Sequence, residues 1–183
     1  MFYYQWQTIL IGTLLFTGLF SGCSQRDARS TSFIPPVENF DTARYMGSWY
    51  EIARLPHSFE RGMTDGKAVY TLQDNGTVKV LNSGLLNGKL TQVSGRARQL
   101  DHLHTGELEV SFFGPFYGLY KIIYLNNDYT LAIVTSSTMD YLWILARKPV
   151  ISREELKFCI AMLKKWGFQI KLLQYPSGMI EKL

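Results

Sequence analysis

Three histidines, two cysteines and the carboxylates near them are the groups with which this chain of 183 residues would act on a substrate or hold a metal. His102 and His104 stand beside Asp101 and Glu107. An H-x-H pair sets both rings on one side of an extended segment, but no third ligand is placed to complete a site, so no metal is expected. His57 follows the first strand-like run, with Arg54 and Arg61 near it. Position alone makes these three candidates to meet a phosphate or carboxylate. The chain holds no nucleophile elbow, paired-carboxylate motif, C-x-x-C or P-loop, so no catalytic residue and no cofactor are assigned and an enzyme is not expected. Cys23 and Cys159 would pair only in an oxidising compartment. Cys159 reads as a small buried apolar residue with a free thiol.

Cys23 has another use. Thr8 to Phe20 is an uncharged apolar run of thirteen residues followed by Ser21-Gly22-Cys23. That is signal-peptide length, and short against the roughly 20 residues of a spanning helix. Small residues before the cysteine resemble a lipobox, after which the new amino-terminal Cys23 is acylated. Phe20 takes the place usually held by leucine, and Met1 to Gln7 carries no Lys or Arg. Ser24 in place of an aspartate points, by that resemblance, to the outer membrane with the domain in the periplasm. Two or three acyl chains would anchor the protein firmly where one would not. The expected division is a leader over residues 1–22, a lipidated cysteine and polar tether over 23–36 ending in Pro35-Pro36, and one domain over 37–183.

Charged residues make up 19% of the chain and aromatics 14%, with eleven Tyr and eleven Phe. This suits strands better than a helical bundle. The net charge of +4 comes without a basic stripe, which excludes nucleic acid as a partner and allows at most mild attraction to anionic lipid.

Period-two alternation begins at Trp49 and recurs in short runs between turn residues. It predicts strands from Trp49, then over Lys67–Leu72, Val78–Ser83, Leu90–Gln99, Glu107–Phe113, Gly118–Leu125, Tyr129–Ser136 and Tyr141–Arg147. Asp74-Asn75-Gly76 and Asn87-Gly88 are hairpin turns. The connection Leu55 to Gly66 is the long one, as a lid over an opening would be. Parity turns Leu108, Val110 and Phe112 inward, opposite Glu107 and Glu109. It also places Val80 and Asn82 inside with Lys79 outside, and Tyr120, Ile122 and Tyr124 inside with Lys121 outside. Glu51 falls inward beside Trp49, where a bulge or a buried donor must accommodate it. The final strand is apolar on both faces, so parity fails there.

Gly47 permits a tight entry to the first strand, Trp49 offers a large core ring, and Arg147 closes the last strand. The runs Gly47-Ser48-Trp49-Tyr50-Glu51-Ile52-Ala53-Arg54, Phe112 to Gly118 and Asp140 to Arg147 resemble, in that order, the bacterial lipocalins, over about Val37 to Phe168. The resemblance implies an all-β fold, an eight-stranded antiparallel up-and-down barrel with one C-terminal α-helix packed outside. It makes Gly47, Trp49 and Arg147 a structural closure and puts Tyr141, Trp143 and Leu145 on the inward face. It implies a small apolar ligand, a fatty acid or lysophospholipid, contacted toward the mouth by Tyr70, Tyr120, Tyr141 and Trp143 together with the interior set above. A structural lipoprotein with a filled barrel, or a lipid-modifying enzyme of the same fold, are the alternatives, and a homodimer is left open.

Beyond the strands, Ser152-Arg153-Glu154-Glu155 forms a capping box. Leu156, Cys159, Ile160 and Leu163 share one helical face, and Gly167 stops the run. The tail from Gln169 to Leu183 is a candidate ninth strand.

Overall fold

The computed structural model describes residues 28–100 and 104–175. Its elements are α1 (Thr42–Tyr45), β1 (Gly47–Arg54), β2 (Met63–Leu72), β3 (Val78–Leu86), β4 (Lys89–Gln99), β5 (Glu107–Phe113), β6 (Phe116–Leu125), β7 (Leu131–Thr135), β8 (Leu142–Ala146) and α2 (Arg153–Trp166). Each strand pairs antiparallel with the next, and β8 pairs with β1, so the eight strands close a barrel without an edge.

The turns form where the backbone can take positive φ. Asn87 and Gly88 do so at +51° and +74°, the two-residue hairpin geometry that matches strand twist. Gly76 closes the β2–β3 turn at +78°. β2 starts earlier than alternation predicted, at Met63, because a register shift between Thr64 and Lys67 interrupts the pattern without ending the pairing. The connection after β1 is correspondingly shorter, and its middle, Ser58–Glu60, is a 3-10 turn.

Two cores share the strands. The inner one fills the barrel with Trp49, Tyr70, Val80, Leu108, Ile122, Val134 and Leu145 among others. The outer one lies beneath α2 and includes Ile52, Ile123, Ile133, Leu142, Ile144, Cys159 and Leu163. β7 and β8 belong to both, which is why β8 is apolar on each face. α2 begins at Ser152, whose Oγ accepts from Glu155 N (3.2 Å) while Glu155 Oε2 accepts from Ser152 N (2.8 Å). It ends at Gly167 with φ +81°.

Two local expectations are corrected, and Lys121 points outward as expected with an added partner. Tyr124 does not face inward: a register shift between Ile122 and Tyr124 turns both Ile123 and Tyr124 out, and Tyr124 meets Phe158 of α2 at 5.0 Å. Lys121 does leave the barrel but is buried, because its Nζ donates to Thr31 O and Ile34 O (both 3.0 Å). The end of the polar N-terminal stretch is thereby packed on the barrel, with Thr31 and Ile34 fully buried. The tail forms no ninth strand over the described residues. It makes a 3-10 turn, Ile170–Leu172, and a single bridge between Gln174 and Arg54. Among the described residues no helix is long and apolar enough to cross a membrane. Cys23 and the leader lie outside the described residues, as do His102 and Asp101.

Candidate ligand site in the barrel

Gly47, Trp49 and Arg147 meet at one end of the barrel. Gly47 has φ +95°, and a Cβ on it would come 3.2 Å from Arg147 Nη1. The Arg147 guanidinium lies 4.1 Å above the Trp49 ring. Its nitrogens donate to Ser48 O (3.0 Å), Arg44 O (2.8 Å) and Tyr129 O (3.1 Å), stitching β8 to the start of β1 and to the β6–β7 turn. Trp49 Nε1–H donates to Tyr45 O (2.8 Å), satisfying the one polar atom of a fully buried ring. α1, which sequence reading missed, supplies that carbonyl. Its four residues are too few to show a periodicity.

Beside Trp49 three phenols meet. Tyr120 Oη is 2.8 Å from Tyr45 Oη and 3.1 Å from Tyr70 Oη. Burial pushes Tyr70 up to about 12 and holds Tyr45 and Tyr120 well above the ordinary phenol value. The trio is therefore a neutral hydroxyl layer across the barrel. Val80, Leu108, Val110 and Phe112 share the same apolar inner face, Leu108 directly across from Tyr120. Phe112 has room because Gly95 on the paired strand offers no side chain; a Cβ there would come 2.7 Å from the ring. Asn82 carries a buried Oδ1 with no hydrogen-bond partner.

At the opposite end, under the loop over residues 55–62, the inner face becomes charged. The bulge between Glu51 and Ala53 puts Glu51 opposite Leu145 and Arg54 opposite Trp143, both facing in. Arg54 Nη1 pairs with Glu51 Oε1. Arg54 Nη2 donates to Glu60 O and Met63 O (both 2.9 Å), which fastens the loop over residues 55–62 across the opening. Glu60 Oε2 accepts from Trp143 Nε1 (3.1 Å). It also stands 3.0 Å from His57 Nε2, within ion-pair range but off the line of a hydrogen bond, and 3.8 Å from Arg54 Nε. Burial, reinforced by the Glu60 charge, lifts the Glu51 carboxyl to about 7 against the pull of Arg54. Burial would lift Glu60 too, but His57, the Trp143 N–H and the Arg54 charge outweigh it and hold Glu60 below the usual carboxylate value.

Tyr141 stacks on Trp143 (6.3 Å between centroids) and on Phe59 of the loop (5.9 Å). A cavity of about 280 Å³ lies beside the loop, lined by Pro56, His57, Ser58, Arg61, Gly62 and Gln174. A second, of about 430 Å³, lies at the Trp49 end against α1 and includes Phe40, Gln99 and His104.

Of the residues expected toward the mouth, Tyr141 and Trp143 lie there, but Tyr70 and Tyr120 do not: Tyr70 pairs with Gly47, and both phenols meet Tyr45 beside Trp49. Val80, Asn82, Leu108, Val110 and Phe112 lie on the strands between. Of the positional candidates for an acidic group, Arg54 and His57 converge, while Arg61 lines the cavity outside. Glu60, Phe59 and Tyr45 were missed. The available signal for Glu60 was a second carboxylate close after the inward-facing Glu51.

A family model for a lipocalin-like domain matches residues 40–177. The chain is 43% identical over 139 residues to the outer membrane lipoprotein Blc of Citrobacter freundii, covering 75% of this chain and 78% of that one. It is 40% identical over 139 residues to apolipoprotein D of Rattus norvegicus, covering 68% of this chain and 70% of the relative. Among solved structures, insecticyanin of Manduca sexta superposes with a TM-score of 0.66 at 21% identity, covering 78% of this chain and 83% of its own, a likeness of fold.

Proposed function

Because the chain belongs to the lipocalin family, whose members bind small hydrophobic ligands, we propose that it takes up a fatty acid or lysophospholipid in its barrel and holds or carries it in the cell envelope. The observation that carries this reading is the apolar inner face shared by Val80, Leu108, Val110 and Phe112. Burial of an acyl chain contributes roughly 0.8 kcal/mol per methylene, so micromolar binding follows without specific contacts along the tail. The protein acts by binding and release, not by turnover. Acylation of Cys23 would fix it to the outer membrane with the barrel in the periplasm, in keeping with relatives named as outer membrane lipoproteins.

A barrel that is only structural is the second reading, favoured by the seating of Glu60 across the opening. Calorimetric titration with saturated fatty acids of increasing length decides between them. The lipid-binding reading expects one site per chain and affinity that rises with each methylene until the barrel is filled. Heat at no chain length leaves the structural reading.

A further inference from the structure

Resting on the lipid-binding reading, we propose that the mouth of the barrel is an anion site for the ligand's acidic head, and that Glu60 occupies it as an internal stand-in until a lipid carboxylate or phosphate displaces it. Three groups of different chemistry converge on one Glu60 oxygen: the Trp143 indole N–H at 3.1 Å, His57 Nε2 at 3.0 Å and Arg54 Nε at 3.8 Å. They come from β8, the loop and β1, so no single local motif assembles them. Arg54 is 3% exposed, and its Nε is buried with no hydrogen-bond partner. A guanidinium N–H that lacks a partner on the inner face of the barrel is an unfilled position for an anion oxygen.

The exchange is favourable on charge grounds. Removing Glu60 without replacement leaves Arg54 with Glu51 as its remaining carboxylate and takes a negative charge from beside a buried cation, which is costly. When the acidic head of a lipid enters as Glu60 leaves, the buried charge count at Arg54 is unchanged, and Glu60 gains water. An uncharged head gives no such compensation, and it leaves the Trp143 N–H without its acceptor. The site therefore selects acidic single-chain lipids over neutral ones of equal length. Glu51 stays in place throughout, holding Arg54 from below. The loop borders the 280 Å³ cavity, and the Glu60 side chain can turn away while its carbonyl stays bonded to Arg54 Nη2.

The test is calorimetry on the full-length chain kept soluble with an amphipathic polymer, using two ligand pairs. Palmitate against methyl palmitate probes a carboxylate; palmitoyl lysophosphatidylglycerol against monopalmitoylglycerol probes a phosphate. The acidic member of at least one pair is expected to bind about tenfold or more tightly, the usual worth of a hydrogen bond to a charged group. Which pair separates identifies the head. Glu60→Gln, which weakens the internal competitor, is expected to tighten the acidic ligand about threefold or more and to change the neutral one less. Trp143→Phe, which keeps the ring and removes the N–H, narrows the acid-to-neutral ratio. Equal binding of both members in both pairs, or a Glu60→Gln effect that is the same for acid and neutral, overturns the anion site while leaving lipid binding intact. Binding of none of the four overturns both.

Discussion

Arg54 turns back along its own strand to pair with Glu51, three positions earlier, inside the barrel. Residues three apart on a regular strand lie on opposite faces, so the pair exists only because the bulge between Glu51 and Ala53 absorbs one residue of parity. Ile52 and Ala53 both turn outward into the core under α2, and the two charges turn in. A single irregularity thus divides β1 into a half whose inner face carries Trp49 and a half whose inner face carries the Glu51–Arg54 pair.

The pH dependence of stability should report that pair. An acid whose folded pKa stands above its unfolded value binds more protons in the folded state, so stability falls as pH rises between the two. For Glu51 the window runs from the ordinary 4.5 to about 7. Glu60, held low, acts in the opposite sense: its contribution is present above 4.5 and lost as pH falls below that value. Chemical denaturation across this range should show a decline toward neutrality in the native sequence. Glu51→Gln, neutral at every pH yet able to accept from Arg54, should remove the decline; an unchanged slope would assign it to another group.

Trp49→Ala should destabilise the barrel by about 3–5 kcal/mol, as truncation of a buried aromatic does, since it empties its end of the barrel and leaves Arg147 without its ring. Thermal and urea unfolding measure this. Melting like that of the native chain would remove Trp49 from the closure.

Gly47→Ala tests the same end from the backbone. At φ +95° any side chain is strained, and the new methyl would press on Arg147 Nη1. A loss of about 1–3 kcal/mol is expected, with no change in ligand affinity measured at a temperature where the variant is folded.

Trp143→Ala should separate binding from folding. Its ring is half-buried at the opening, so acyl-lipid affinity should drop roughly tenfold, by loss of apolar contact area, while unfolding shifts less than in Trp49→Ala. An unaltered dissociation constant would place Trp143 outside the ligand's reach.

Cys159 is fully buried under α2, and burial pushes its thiol up to about 12. Because only the thiolate reacts, alkylation of Cys159 should proceed at the rate at which the outer core opens, and Ile133→Ala, which loosens that core, should accelerate it. Rapid labelling in the native state would show a helix that does not cover its site.

Much of this architecture was legible in the residues. Alternation with Asn-Gly and Asp-Asn-Gly turns located the strands, and Ser152, Glu155 and Gly167 bounded α2, because those signals are local and chemical. Parity succeeded for Leu108, Val110 and Phe112, where one face of β5 is charged. It failed at Tyr124, because a register shift leaves no mark in composition, and at β8, because α2 makes the outer face apolar too. Lys121 shows a further limit: a charge that leaves the barrel can still be buried when a distant segment supplies carbonyls. The opening was the least legible part. Glu60 comes to Arg54 and Trp143 through a loop conformation, and charges on a loop read by default as solvated.

The central claim, a barrel that holds one acyl lipid, is tested most directly by native mass spectrometry of the full-length chain. The chain would be purified in a bile-salt detergent, which has no acyl chain, and anything bound then extracted into organic solvent. One fatty acid or lysophospholipid per barrel, beyond any chains covalently attached at Cys23, is the predicted result. A protein that emerges without such a lipid and also fails to take up added palmitate would contradict the account.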